Sequence, residues 1–210
     1  MDRVTVVFFV ALVASIIVHE ISHGVVALWF GDDTAKRAGR LTLNPIPHID
    51  PFGSIIIPAL GALANIPVIG WAKPVPVNPN RLRNRRRDML LVSLAGPATN
   101  FALMVVAAYI ARALYKPSMS GVPFNDLPLP VIIALLFAEV NLFLGVFNFL
   151  PIPPLDGSAL LERALPAAWL PRWHRFAPYG ILLLFLLVFW VGLGFIIDPF
   201  RERLFSFILQ

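Results

Sequence analysis

Long apolar stretches dominate the hydrophobic pattern of this chain. Four of them run without a strong break, over residues 4–30, 88–115, 131–150 and 179–198. Each contains about the 20 mainly apolar residues that a helix needs to cross the hydrocarbon core of a bilayer. The pattern therefore predicts an all-α polytopic membrane protein with about four full transmembrane helices.

A fifth apolar stretch, residues 54–71, is interrupted by Pro58, Gly61 and Pro67, with Asn65 between the two prolines. Proline removes a helical hydrogen bond, and an asparagine at membrane depth needs a polar partner. Irregular backbone is tolerated inside a membrane where protein or a water-filled cavity surrounds it. We therefore expect a re-entrant segment here, which enters the membrane and leaves on the same side.

The segments around this stretch are rich in proline and read as loops with short extended pieces. Residues 40–57 alternate weakly between apolar and polar positions, and residues 72–80 contain three prolines. Alternation with a period of two is typical of a strand. We accordingly predict short β pieces in this part of the chain.

Composition agrees with a membrane location. The chain is 58% hydrophobic and 14% charged, against about 25% charged residues in an ordinary soluble domain. It contains no cysteine, so disulfides and thiolate metal sites are excluded. The net charge of +5 comes largely from five arginines at 81–87, which flank an apolar span. Such a cluster is typical of a cytoplasmic loop rather than of a nucleic-acid interface.

Residues 19–23 read His-Glu-Ile-Ser-His within the first span. Side chains four positions apart lie on one face of a helix, about 6 Å apart along its axis, so His19 and His23 can chelate one metal ion. Glu20 can then act as the general base for a water at that metal. The alternative is a pair of core histidines, but burying two imidazoles and a carboxyl in an apolar span needs a compensating partner.

A catalytic zinc site needs a third protein ligand. His48 lies in a proline-rich loop and His174 lies between arginines, and both resemble ordinary surface residues. Asp156 follows the span 131–150. It lies in the run Asn148-Phe-Leu-Pro-Ile-Pro-Pro-Leu-Asp156-Gly157. It is the better candidate, although an aspartate before a glycine also fits a simple turn.

Three motifs in this order resemble those of the site-2 protease family of intramembrane metalloproteases. They are His19-Glu20-Ile-Ser-His23-Gly24, Gly96-Pro97-Ala-Thr-Asn100, and the run from Asn148 to Gly157. The resemblance implies one zinc ion per chain held by His19, His23 and Asp156, with Glu20 as the catalytic base. It implies that Asn148 and Asn100 position substrate or stabilise the transition state. For Asn100, an interhelical hydrogen bond is an equally good interpretation.

The resemblance also implies hydrolysis of peptide bonds within or near the transmembrane segments of other proteins. It covers residues 4–160 of a single domain, 1–210, in which 161–210 adds a loop and another helix. We expect a minimal member of the family, without PDZ or CBS domains. An extended substrate could pair with an edge in residues 40–57.

Membrane topology provides an independent constraint. His23 and Asp156 can meet only if the end of the first span and the end of span 131–150 face the same side, which the re-entrant path allows. Loops 31–53, 72–88 and 157–178 then share one face and carry 12 of the 17 basic residues. The positive-inside rule makes this face cytoplasmic. We expect a protein of a prokaryotic inner membrane, with its active site nearer the cytoplasmic face.

The sequence is also compatible with other interpretations. A non-hydrolytic metal-binding membrane protein, either a transporter or a zinc-held scaffold, would also explain the histidines, as would an inactive relative of a protease. The retained Glu20 favours hydrolysis, because a structural zinc site has no use for an adjacent base. Glu139, inside span 131–150, is expected to have a structural role, either protonated or paired, and Arg112 is a candidate partner.

Overall fold

The computed structural model describes residues 2–56, 63 and 72–210, and these residues are mainly helical. The α-helices are α1 Arg3–Trp29, α2 Thr34–Arg37, α3 Arg85–Leu114, α4 Leu129–Asn148, α5 Ser158–Ala164, α6 Leu170–Phe176, α7 Gly180–Leu186 and α8 Gly194–Leu209. Short 3-10 turns lie at Ile46–His48, Pro79–Arg81, Pro117–Met119, Phe124–Asp126, Ala167–Trp169 and Ala177–Tyr179, and π-helical segments at Pro51–Ile56 and Leu187–Val191.

Four helical runs are long and apolar enough to cross a membrane. They are α1, α3, α4 and the composite run Ala167–Val191. The first three match the predicted spans closely. The fourth begins earlier than the predicted 179–198, and it also ends earlier because the chain turns at Gly192, where φ is +79°. A glycine adopts this left-handed conformation without the steric cost that a side chain would impose.

Helix α3 begins with a reciprocal cap. The side chain of Asn84 accepts a hydrogen bond from the amide of Arg87 at 3.1 Å, and Asp88 accepts one from the amide of Asn84 at 2.7 Å. Two amides that lack helical partners are satisfied in this way. The cap therefore fixes where the second long helix starts, within the arginine cluster at 81–87.

Helices α1, α3 and α4 form a bundle in which α3 runs antiparallel to the other two. At one end, Val4 of α1 packs against an apolar cluster that includes Ala111 of α3 and Val131 of α4. At the other end, His23 of α1 bonds to the carbonyl of Val92 in α3. Three alanines of α3 lie in the apolar cluster and allow the helices to approach closely, as small residues commonly do in membrane bundles. They are Ala107, Ala108 and Ala111.

The antiparallel arrangement means that α1 ends, α3 begins and α4 ends at the same end of the bundle. The amide of Arg83 donates to the carbonyl of Phe30 at 3.1 Å, which ties the two helix ends together. The chain between them consequently leaves and returns at one end, as the topological argument required. The predicted re-entrant segment, 54–71, falls almost entirely outside the described residues.

The predicted short β pieces are wrong for the part of the chain that the structure describes, which contains no strand. Within residues 40–56 the chain forms bends, a 3-10 turn and a π-helical segment instead. Residues 72–78 are extended, but Pro74 and Pro76 have no amide hydrogen. The amides of Lys73 and Val75 bond to the carbonyl of His48 and to Glu20, so no ladder forms.

The C-terminal helix α8 packs back onto the bundle. Leu204 and Ile208 join the core formed by α3 and α4. Glu139 pairs with Arg201 of this helix, with Oε1 lying 2.9 Å from Nε. The expected pairing with Arg112 is wrong, because the guanidinium of Arg112 instead faces the ring and carbonyl of Phe207. The C-terminal region thus supplies the partner for this carboxylate.

Candidate active site

Helix α1 places two imidazoles side by side on the face that it turns toward α3. His19 and His23 are 6% and 8% exposed, and their Nε2 atoms lie 3.1 Å apart. The separation of four residues is one helical turn, which stacks the two side chains on one face. The structure therefore forms the pair that the sequence predicted.

The loop after α4 brings Asp156 to this pair. Its Oδ2 lies 3.1 Å from Nε2 of His19 and 3.3 Å from Nε2 of His23. The loop closes on itself, since the amide of Gly157 donates to the carbonyl of Asn148 at 2.7 Å. A Cβ on Gly157 would lie 2.1 Å from the carbonyl oxygen of Phe149, so only glycine fits this closure.

The hydrogen bonds on the far side of each ring fix the tautomer. His19 donates from Nδ1 to Oδ1 of Asn100 at 2.5 Å, and His23 donates from Nδ1 to the carbonyl of Val92 at 2.7 Å. A neutral imidazole protonated at Nδ1 has its lone pair on Nε2. Both Nε2 lone pairs are therefore directed toward Asp156.

Three electron-pair donors thus face one another. Among the described residues, the buried Oδ2 of Asp156 accepts no conventional hydrogen bond. His19, His23 and Asp156 together could hold one metal ion. Ligand atoms bound to tetrahedral zinc at 2.0–2.1 Å lie about 3.3–3.4 Å apart, and the three separations here are close to that value. The donor set suits zinc in both chemistry and spacing.

Gly96 of α3 lies directly against the two imidazoles. A Cβ at this position would lie 2.5 Å from Nε2 of His23 and 2.6 Å from Nε2 of His19. It would occupy the space in which the ligand atoms converge. The sequence placed Gly96 in a family motif, but nothing in a single glycine indicates what its missing side chain leaves free.

Glu20 is held by the extended segment 72–78. Its Oε2 accepts a hydrogen bond from the amide of Val75 at 2.8 Å. One turn later, a Cβ on Gly24 would lie 3.0 Å from the side chain of Val75, so the segment packs tightly on α1. The carboxylate next to the first imidazole is consequently fixed by a donor from a distant part of the chain.

Asp32 anchors the same segment and was not identified from the sequence. It is fully buried, and its Oδ2 accepts from the amide of Asn78 at 2.6 Å. Burial raises the pKa of Asp32, whereas the hydrogen bonds from Thr34 and Asn78 lower it more, so the net direction is downward. A hint was present in the sequence, because an aspartate two residues before a threonine at a helix start is typical of a turn.

The two predicted asparagines differ in their surroundings. Asn100 is fully buried and bonds to both His19 and Asn141. Asn148 is partly exposed, and its Nδ2 donates to the carbonyl of Leu144 in its own helix at 3.1 Å. Asn100 therefore orients a histidine, while the role of Asn148 toward substrate stays a prediction.

Comparison with known proteins identifies the family. The sequence model of Peptidase family M50 matches residues 7–126, more than half of the chain. This chain belongs to peptidase family M50. The resemblance to site-2 proteases drawn from the three motifs is thereby confirmed. The M50 match includes the two histidines, Glu20, Gly96 and Asn100.

Relatives of this M50 chain have names that refer to zinc. A Bacillus subtilis protein named "Putative zinc metalloprotease YwhC" is 36% identical over 96% of this chain and 91% of its own length. A Mycolicibacterium smegmatis protein named "Putative zinc metalloprotease Rip2" is 35% identical over 72% of this chain, which spans 54% of that protein. No solved structure matches the chain.

Proposed function

We propose that this protein is a zinc-dependent intramembrane endopeptidase that hydrolyses peptide bonds within or near the transmembrane segments of other membrane proteins. The observation that carries the proposal is the triangle of lone pairs formed by His19, His23 and Asp156, beside Glu20, within a bundle of membrane-spanning helices. Family membership and the names of the relatives support zinc as the metal and proteolysis as the reaction.

His19, His23 and Asp156 would hold the zinc ion, leaving the fourth position open. Zinc bound in this way supplies a Lewis acid that activates water and polarises a peptide carbonyl. Glu20 takes the proton from the attacking water and returns it to the nitrogen of the leaving amine. Its hydrogen bond from Val75 keeps the carboxylate at a fixed place while it does so.

Asn148 is the proposed donor to the oxyanion that develops on the scissile carbonyl. It lies at the end of α4, and its carbonyl closes the loop that presents Asp156. Its side-chain amide would have to exchange the carbonyl of Leu144 for the substrate oxygen. A donor aimed at a developing oxyanion in a water-poor site is worth about 3 kcal/mol.

The proposed location is a prokaryotic inner membrane, with the site nearer the cytoplasmic face. The end of the bundle that holds the site is also where the five arginines at 81–87 lie, just before α3 and in its first turn. Positive residues favour the cytoplasmic side. A helical substrate must unwind there, since its carbonyls are otherwise used by its own hydrogen bonds.

The test is Glu20→Gln in the purified full-length protein with a transmembrane substrate in proteoliposomes. Glutamine keeps the size of the side chain but cannot accept a proton as a base. We expect one zinc ion per chain to remain bound and cleavage to stop. Glu162→Gln, an exposed site paired with His174, is the matched control and should cleave normally.

Two outcomes would contradict the proposal. Cleavage by Glu20→Gln at the wild-type rate would remove Glu20 from its role as the base. A wild-type protein that binds zinc and cleaves no transmembrane substrate would favour the non-hydrolytic alternative, a transporter or a zinc-held scaffold.

A further inference from the structure

A buried chain of side-chain hydrogen bonds joins the three bundle helices and ends at a proposed zinc ligand. Ser15 of α1 accepts from Nδ2 of Asn141 in α4 at 2.8 Å. Oδ1 of Asn141 accepts from Nδ2 of Asn100 in α3 at 2.9 Å, and Oδ1 of Asn100 accepts from His19 at 2.5 Å. Ser15, Asn141 and Asn100 are each fully buried.

The direction of this chain is set by a main-chain carbonyl. Nδ2 of Asn141 also donates to the carbonyl oxygen of Phe137 at 2.8 Å. A carbonyl can only accept, so this side of the Asn141 amide must be its NH2 group. The other side is then the oxygen, which forces Asn100 to present its own NH2 group to Asn141.

The same constraint reaches His19. Because the NH2 group of Asn100 is committed to Asn141, its oxygen faces Nδ1 of the imidazole. An oxygen at this place requires a proton on Nδ1, which leaves the lone pair on Nε2. Without Asn141, nothing in the described structure prevents the side-chain amide of Asn100 from flipping, so that its oxygen and its NH2 group exchange places. The reversed amide would favour a proton on Nε2, where the metal must bind.

We propose that Asn141 is a positioning residue for the zinc site, acting through Asn100 to keep His19 in its metal-binding tautomer. The inference rests on the proposed zinc site and extends it two hydrogen bonds outward. Partners of ligating histidines commonly change metal affinity by about 10- to 100-fold when they are replaced. We expect a loss near the lower end of that range for Asn141, because it acts through one intermediate.

The experiment measures zinc dissociation constants by chelator competition in the detergent-solubilised full chain. The variants are Asn141→Leu, Asn100→Ala and the double variant. We expect Asn141→Leu to weaken zinc binding about 10-fold. In the Asn100→Ala background it should weaken binding no further, because its route to His19 is already missing. A purely structural role would add the same loss in both backgrounds and would overturn the proposal.

Glu139→Gln is the matched control. Glu139 lies on the same helix as Asn141 and makes a polar contact to α8 rather than to the site. Its replacement should leave the zinc dissociation constant unchanged. If it weakens zinc binding as much as Asn141→Leu does, a general disturbance of α4 explains both results and the proposal fails.

A second readout does not depend on zinc. Nitrogen-15 NMR shifts of the imidazole distinguish the two neutral tautomers of His19 in the metal-free protein. We expect protonation at Nδ1 in the wild type and a shift toward Nε2 protonation in Asn141→Leu. An unchanged tautomer would overturn the proposal. A wild-type protein that binds no zinc would instead contradict the proposed function, while the tautomer result still tests Asn141.

Discussion

The main-chain amide of Val75 donates a hydrogen bond to Oε2 of Glu20 over 2.8 Å. The two residues are far apart in the sequence, and the contact joins the extended segment 72–78 to the helix that carries the histidines. A carboxylate acts as a general base only when it is held within hydrogen-bonding reach of the proton that it takes. This amide therefore belongs to the contacts that orient the proposed base.

Replacing Val75 with proline removes that amide hydrogen in a segment whose neighbours are already prolines. We expect kcat to fall by about 10-fold, a fraction of the 100- to 10,000-fold that a general base contributes. Zinc content should stay at the wild-type level, because no ligand is touched. Val77→Pro is the control, since the amide of Val77 donates no hydrogen bond within the described residues. Equal losses in both variants would contradict a specific role for Val75.

Removing the carboxylate of Asp156 should release the metal. Asp156→Ala leaves two imidazoles, and we expect zinc content measured by elemental mass spectrometry to fall well below one ion per chain. Catalytic zinc sites use three protein ligands, and two bind far more weakly. Asp198→Ala, which changes an exposed aspartate of α8, should retain zinc. Full zinc content in Asp156→Ala would exclude this residue as a ligand.

Gly96→Ala should also abolish zinc binding, although it adds only one methyl group. The added Cβ would lie 2.5 Å from Nε2 of His23, inside the space that the ligand atoms share. Gly145→Ala is the matched control, because its Cβ would press on the ring of Phe101 at 2.9 Å and reach no ligand. We expect zinc loss in the first variant alone, measured alongside the helical circular dichroism of both. Wild-type zinc affinity in Gly96→Ala would show that the helices separate easily.

Asp32 should make the attachment of segment 72–78 depend on pH. Its pKa in the folded protein is lowered from the ordinary 3.8, so it stabilises the fold above pH 3.8. That contribution is lost as the pH falls through the lower, folded pKa. We expect Asp32→Asn to reduce stability at pH 7 by about 2 kcal/mol, the value of hydrogen bonds to a charged group.

The measurement is thermal unfolding, together with hydrogen exchange at the Asn78 amide, across a pH series. The difference between wild type and Asp32→Asn should shrink below pH 3.8. Asp33→Asn provides the neighbouring control, because this aspartate is 41% exposed and pairs with surface arginines. Exposed pairs contribute little to stability. A pH-independent difference for Asp32→Asn would contradict the role of its charge.

The sequence was sufficient to predict the features that depend on local helical pattern, namely apolar length and residue spacing. Apolar length identified α1, α3 and α4, and a spacing of four residues identified His19 and His23. Asp156 needed the family resemblance as well, because an aspartate before glycine is also an ordinary turn. Its position beside the imidazoles depends on the packing of α1 against α4, which no local pattern contains.

Features that depend on contacts between distant segments were missed or misassigned. The partner of Glu139 was wrong because Arg201 lies on a helix that folds back after Gly192. The roles proposed for Gly96 and Asn141 depend on the residues that face them across the bundle. The β prediction failed because alternation alone does not account for amides that proline removes.

The ligand triangle also has a consequence for how the protein is made. Two of its corners lie on the first helix to be synthesised, and the third follows the last helix of the bundle. A nascent chain that stops before Asp156 has two imidazoles and no complete metal site. The proposed hydrolytic centre would therefore form only after the bundle has assembled, and metal binding would then stabilise that assembly by mass action. The proposed activity would consequently be absent from chains that are still being synthesised.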